Sequence, residues 1–298
     1  MPKLVDCIPN FSEGRDEKVV EALADCARSV PGVSLLDYSM DASHNRSVFT
    51  LVGSPEGIEE AAFLLCKKAQ ELIDMTKHTG EHPRMGATDV IPFVPVKEIT
   101  MAECVEMSKR VGARIAEELK IPVILYEESA SSPDRANLAA VRKGQFEGMP
   151  EKIKKKKWTP DFGEQEIHPT AGVVAVGARM PLVAFNVNLS TSDVAIADKI
   201  AKKVRGSSGG LQFVKGMGVL LEERNVAQVS MNLVNYEKTS IYTVFEAIKV
   251  EAKRWGVHVI GSELIGVAPS KALIDCAEYY LQIEDFNFEK QILENHLL

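Results

Sequence analysis

Cysteine is scarce and scattered in this 298-residue chain: Cys7, Cys26, Cys66, Cys104 and Cys276 are odd in number and never form a C-x-x-C pair. That spacing disfavours both a disulfide framework and a zinc knuckle, and points to a reducing, cytoplasmic compartment. No run of about 18 apolar residues occurs. The start, Met1-Pro2-Lys3-Leu4-Val5-Asp6, has no apolar stretch behind a basic lead, so neither a membrane span nor a secretory signal is expected. Positive charge is also short. Lys plus Arg number 35 against 42 Asp plus Glu, a net charge of −7 that repels nucleic acid and anionic lipid. No dinucleotide-binding glycine fingerprint follows a strand. Arg205-Gly206-Ser207-Ser208-Gly209-Gly210 lacks the Lys-Ser/Thr ending of a P-loop. It reads as a flexible approach to a hairpin, with a backbone-amide cradle for an anion as the alternative. What remains is ordinary globular material, 45% apolar and 26% charged. The length suits roughly two domains at about 150 residues each.

Start and stop signals divide the chain into two halves with one order of elements. In the first, a β-like run at 4–8 leads to a helix at 16–30 with Val19, Leu23, Ala27 and Val30 on one face, stopped at Gly32. Strands at 33–38 and 46–52 follow, joined by a polar loop. Ser54 and Pro55 then open a helix to about residue 75, with the stripe Ile58, Ala62, Leu65, Ala69 and Leu72, and a strand at 90–94 closes the set. From residue 182 the order returns: strand 182–189, a helix from an N-cap at Ser192 to 204, strands 218–221 and 226–234, a helix at 240–255 and a strand at 257–260. Both halves therefore read β-α-β-β-α-β, and the expected fold is α+β with two ferredoxin-like subdomains, residues 1–180 and 181–298. The first is enlarged by an inserted helix-strand-helix-strand segment: a helix with the capping box Thr100 and Glu103, a strand at 121–126, a helix entered at Ser132-Pro133, and a strand at 172–176. A last helix at 269–281 and a polar tail end the chain. Between the halves lies Lys152-Ile153-Lys154-Lys155-Lys156-Lys157-Trp158, the one strong basic block, which is either a solvated loop or a landing strip for an acidic tail on a substrate.

Ionisable groups are densest in Lys77-His78-Thr79-Gly80-Glu81-His82-Pro83-Arg84-Met85-Gly86-Ala87. His78 to His82 spell H-x-x-E-H, the inverted zinc-protease pattern. That pattern needs a helix to put both histidines on one face, and here Gly80 weakens a helix while Pro83 disfavours α geometry at His82. A proton-carrying histidine is the better reading, because imidazole accepts and returns protons near neutral pH. His82 is the stronger candidate: Pro83 stiffens its backbone, and Arg84 adds a permanent cation suited to a carboxylate. No metal is expected. The loops 10–15 and 41–46 at strand ends, and the irregular stretch 161–172, are further candidates for ligand contact.

Several blocks then carry a family likeness. Cys7-Ile8-Pro9-Asn10-Phe11-Ser12-Glu13-Gly14-Arg15, Asn45-Arg46-Ser47-Val48, Gly80-Glu81-His82-Pro83-Arg84-Met85-Gly86-Ala87, Pro160-Asp161-Phe162-Gly163, Ala184-Phe185-Asn186-Val187-Asn188-Leu189 and Gln228-Val229-Ser230-Met231-Asn232-Leu233 together resemble the glutamate formimidoyltransferases. These are the formiminotransferase part of the formiminotransferase-cyclodeaminase family. The likeness spans nearly the whole chain. It implies transfer of the formimino group from N-formimino-L-glutamate to N5 of tetrahydrofolate, the co-substrate, in histidine degradation. It places the catalytic histidine at His82. It places folate contacts between the halves, at Gly163, Glu164, Gln165, Glu166, Ile167, His168, Pro169, Thr170, Ala171 and Gly172.

The resemblance also implies a homodimer. Animal bifunctional members carry a cyclodeaminase module beyond the point where this chain ends, so a separate cyclodeaminase is expected. On this reading His82 takes the proton from N5 and returns it to the departing glutamate nitrogen, with Glu81 or Asp41 orienting or charging the ring. Arg46, Arg84 and Arg179 are candidates for the glutamate carboxylates, and the lysine block for a polyglutamate tail of folate. Three other readings stand beside it: a glutamate formyltransferase using N-formyl-L-glutamate, a non-catalytic module that binds folate or amino acids, and a metal hydrolase.

Overall fold

The computed structural model describes residues 2–296. The chain divides into two compact units after Arg179. The first begins with β1 (Leu4–Cys7), β2 (Asn10–Phe11), α1 (Glu17–Arg28), β3 (Val33–Asp41), β4 (Arg46–Gly53), α2 (Pro55–Leu72) and β5 (Thr88–Lys97). It continues with α3 (Met101–Arg114), β6 (Val123–Glu127), α4 (Leu138–Arg142), α5 (Gln145–Lys152) and β7 (Val174–Ala178). The helix starts are fixed by local chemistry. The Asp16 side chain accepts from the amide of Lys18, Ser54 from Gly57, and Thr100 and Glu103 close a reciprocal capping box.

β1 and β2 are two pieces of one strand, each lying antiparallel between β4 and β5, with β3 on the far side of β4. The strand sequence stops at Pro9, yet Asn10 and Phe11 resume pairing, so the expected loop 10–15 begins two residues later than the sequence suggests. β7 then pairs parallel to β5, and β6 parallel to β7. Alternation sorts the side chains. Val5, Cys7, Phe11, Phe49, Leu51, Ile91 and Phe93 join α1, α2 and α3 in the main core. The alternate positions of β1, β2 and β4, among them Asp6, Asn10 and Arg46, face the other way. A smaller cluster with Val141, Met149 and Ile153 packs against Val90, Tyr126 and Ala175 on that second face.

Two expectations fail in the insertion. The helix entered at Ser132-Pro133 is instead a single 3-10 turn, Pro133–Arg135, followed by the short α4 and α5. Asn137 caps a new start, and Gly144, at φ +101, breaks the path between the two helices. The lysine block belongs to the first unit. Lys152 ends α5 and is buried, its ammonium donating to the carbonyls of Ala140 at 2.7 Å and Lys143 at 2.9 Å, with the Trp158 ring 4.1 Å away. It satisfies the open C-terminal end of α4 and is not part of a landing strip.

The second unit contains β8 (Val183–Leu189), α6 (Val194–Val204), β9 (Val214–Leu221), β10 (Val226–Leu233), α7 (Ile241–Arg254), β11 (Val259–Ile265), α8 (Ser270–Leu281) and α9 (Phe288–Gln291). Its four strands lie in the order β11-β8-β10-β9, all antiparallel. The N-cap of α6 is Asp193, which accepts from Ala195, rather than Ser192. The 205–210 segment is no anion cradle: the amides of Ser208 and Gly210 donate to the Arg205 carbonyl, and that of Gly209 to Gly206. No helix among the described residues is long and apolar enough to cross a membrane.

Candidate active site

Three loops of the first unit are laced together by buried polar groups. Asn45, in a left-handed conformation that asparagine tolerates, accepts from the Gly14 amide at 2.9 Å and donates to the Thr79 carbonyl at 2.8 Å. Ser12 donates its hydroxyl to the Gly86 carbonyl at 2.7 Å and its amide to Ala87 at 2.9 Å. Glycine is required where these backbones meet. A Cβ on Gly80 would stand 2.4 Å from the His44 carbonyl oxygen, and one on Gly86 2.3 Å from that of Val173.

This lacing sets His82 half-buried beside Arg46, in a small crevice that Phe11, His44, Asn45 and Asp89 also line. Arg46 directs Nη1 at the imidazole, against Nε2 and 2.9 Å from Nδ1, and Nη2 at Oδ1 of Asn10. Burial, then the charges of Arg46 and Arg142, push the His82 imidazole down to about 4, so the ring is neutral and able to accept a proton at physiological pH. His78 has a different task. Its Nε2 donates to the Asn45 carbonyl at 2.9 Å and its Nδ1 accepts from Nε of Arg84 at 3.1 Å, which occupies both nitrogens. Among the described residues no group of three or more His, Cys, Asp or Glu could hold a metal ion.

The carboxylates fall elsewhere than the sequence suggests. Asp41 holds His44, 2.9 Å from its Nδ1 and 2.8 Å from its amide, and the His44 ring lies 6.2 Å from that of His82. Glu81 is exposed and contributes its amide to the Ser43 carbonyl. The carboxylate in the His82 crevice is Asp89, which sequence reasoning missed because one acid inside an apolar strand carries no pattern. The arginines also separate. Arg84 is buried and fully engaged, bidentate to Glu147 at 2.6 and 2.9 Å and bonded to Gln145 at 2.8 Å, so it clamps α5 to the His82 loop. Arg179 follows β7 and lies within electrostatic reach of Asp6 on the second face of the sheet.

Asp6 is half-buried, and its buried Oδ1 has no hydrogen-bond partner among the described residues. Burial raises its carboxyl to about 7, with Arg179 opposing. A raised carboxyl contributes fully below its unfolded value, 3.8, and loses that contribution as pH climbs to about 7. Asp6→Asn is therefore expected to melt progressively higher than the wild type from pH 4 to 7, with the gap level above that. The full effect is roughly 4 kcal/mol at most, taking 1.36 kcal/mol per pKa unit. A pH-independent gap in melting temperature would contradict it.

Residues 163–172 belong to the first unit. Gly163, Glu164, Glu166, Ile167, His168 and Pro169 line a cleft of about 780 Å³ with Glu117 and Lys120, and no residue of that lining belongs to the His82 crevice. The Gln165 side chain donates to the Thr159 hydroxyl at 2.6 Å. Only the end of the stretch approaches the histidine loop: the Thr170 carbonyl accepts from Met75, that of Ala171 from Ala87, and Gly172 bridges Gly86.

Comparison with known proteins agrees along the chain. The family "Formiminotransferase domain, N-terminal subdomain" matches residues 4–179, and "Formiminotransferase domain" matches residues 184–296. The chain is 67% identical to Glutamate formimidoyltransferase of Streptococcus pyogenes serotype M1 over 100% of both sequences. It is 49% identical to that of Thermoplasma acidophilum over 99% of this chain and 97% of the relative. It is 47% identical to Formimidoyltransferase-cyclodeaminase of Mus musculus, covering 95% of this chain but 53% of the mouse protein.

Proposed function

The chain belongs to the formiminotransferase family, and from that premise we propose that it moves the formimino group of N-formimino-L-glutamate to N5 of tetrahydrofolate and releases L-glutamate, as a step of histidine degradation. Attack of N5 on the amidine carbon forms a C–N bond and leaves a proton too many on N5. His82 takes that proton and delivers it to the glutamate nitrogen, whose bond to the same carbon then breaks, so one imidazole serves as base and then acid. The observation that carries this reading is the His82 ring, neutral, half-buried and held against Arg46. Asp41 would act through His44, and Glu81 through its backbone. Arg46 and Arg179 remain the candidates for substrate carboxylates, since Glu147 occupies Arg84.

Folate contacts are best supported at Thr170 to Gly172, which abut the histidine loop. The cleft at 163–169 is lined by Glu117, Glu164 and Glu166 against Lys120, which opposes the anionic glutamate of folate. We read both units as ferredoxin-like subdomains, 1–180 and 181–298. The strand order β11-β8-β10-β9 and its counterpart β5-β1-β4-β3 support this, both placing first-half and second-half strands alternately. The five free thiols are compatible with a cytoplasmic setting, and a homodimer follows from the family. The test is to mix protein, tetrahydrofolate and N-formimino-L-glutamate. Free glutamate with a shifted pterin absorbance is expected, and at a higher rate than with N-formyl-L-glutamate. A faster formyl donor would reassign the substrate.

A further inference from the structure

Arg142, the last residue of α4, reaches the second face of the sheet and donates Nη2 to Oδ2 of Asp89. Asp89 is buried near the start of β5, and its other oxygen accepts from the Met85 amide at 3.0 Å. Both of its oxygens are therefore occupied. Around the crevice the charges do not balance. Arg46 and Arg142 bring two guanidiniums against the single carboxylate of Asp89, because the charge of Arg84 is already met by Glu147. The two cations are close enough to oppose each other: burial, then Arg142, pushes Arg46 down to about 10.

A second observation points the same way. The Nε–H groups of Arg46 and Arg142 are both buried, and neither has a hydrogen-bond partner among the described residues. A buried donor left unpaired is costly, and more so on a charged group, so a native site with two of them on mutually repelling arginines is built for an acceptor that arrives with negative charge. A carboxylate fits both demands. It supplies oxygens for two guanidinium edges and cancels the excess positive charge.

We propose that Arg142 and Arg46 together seat one carboxylate of the formimino donor beside His82. The proposal rests on the formimino-transfer reading for the identity of its ligand. It has a chemical consequence. Burial and then these two guanidiniums hold down the basicity of the His82 ring; the donor would neutralise the guanidiniums, and Arg46 would be drawn from the ring towards the carboxylate. The imidazole becomes a stronger base only once the donor is in place, which ties proton abstraction to a filled site.

Two variants separate the seat from a role in folding. Arg142→Lys keeps a cation opposite Asp89 and removes the planar fork. Arg142→Gln combined with Asp89→Asn removes both charges, so no lone carboxylate is left buried. Calorimetric titration with N-formimino-L-glutamate is expected to show about 30-fold weaker binding in each, the scale of a lost charged hydrogen-bond pair. The KM for this donor should rise in step, and the KM for tetrahydrofolate should move less than about threefold. The preference for N-formimino-L-glutamate over formamidine, an amidine with no carboxylate, should fall by the same factor. Donor binding within about threefold of wild type, or equal rises in both KM values, would overturn the seat. Wild-type protein that binds the donor but transfers nothing would instead overturn the formimino-transfer reading and leave the seat standing.

Discussion

Replacing His82 with asparagine is expected to lower kcat by about 10²- to 10⁴-fold, the usual contribution of a positioned acid–base group, while the affinity for tetrahydrofolate stays near the wild-type value. Asparagine keeps a polar group beside Arg46 but cannot carry a proton between two nitrogens. Full turnover in this variant, measured as glutamate release, would remove His82 from the mechanism. The same substitution carries a stability signature. The folded imidazole resists protonation down to about 4, first through burial and then through Arg46 and Arg142. An unfolded histidine takes its proton near pH 6.5. Wild-type stability should therefore fall as pH drops from about 6.5 towards 4, because the unfolded state binds the proton first. His82→Asn should lose less over that window, and parallel melting curves for the two proteins would contradict the assignment.

Arg135→Ala is expected to cost roughly 3–5 kcal/mol, the scale for breaking a buried ion pair from one side. Arg135 and Asp161 are 7% and 11% exposed at their side chains and meet at 2.7 Å. The same guanidinium donates to the carbonyls of Lys157 at 2.9 Å and Thr159 at 2.7 Å. Asp161 in turn accepts from the Leu125 amide at 2.7 Å on β6. Removing Arg135 thus strands a buried carboxylate and two carbonyls at once. At about 2–4 °C per kcal/mol for a unit of this size, the melting temperature should drop by about 10 °C. An unchanged melt would mean that the segment between α5 and β7 is held by other contacts. Asp161 also shows that a residue within a family-like block can serve the framework.

Much of the framework was legible because its signals are local. Asp16, Ser54 and Thr100 sit where helices begin, and each makes the cap hydrogen bond that its position suggests. The repeated strand and helix order follows from the same punctuation. What escaped the sequence is nonlocal or isolated. Pro95 suggests a strand end at Val94, yet β5 runs to Lys97 with a bulge at Val96, where two steps of β5 match the single step from Val5 to Leu4. Pairing of β7 with β5 and β6 has no periodic signature of its own. In the site, His82 and Arg46 stand out by density and neighbouring glycine or proline. Asp89 and Arg142 lie in otherwise apolar elements, separated by 53 positions, and only the folded sheet makes them a pair. Arg84 reads as one candidate for a substrate carboxylate because its partner Glu147 is 63 positions away.

The backbone-to-backbone seams at Gly80 and Gly86 bear on how turnover is timed. A histidine mounted on a swinging flap would wait for that flap in every cycle. Here the loop is stitched to its neighbours at both ends with no room for even a methyl group. His82 is thus a fixed post, and the reactants must come to it, so throughput should be governed by their arrival, alignment and exit.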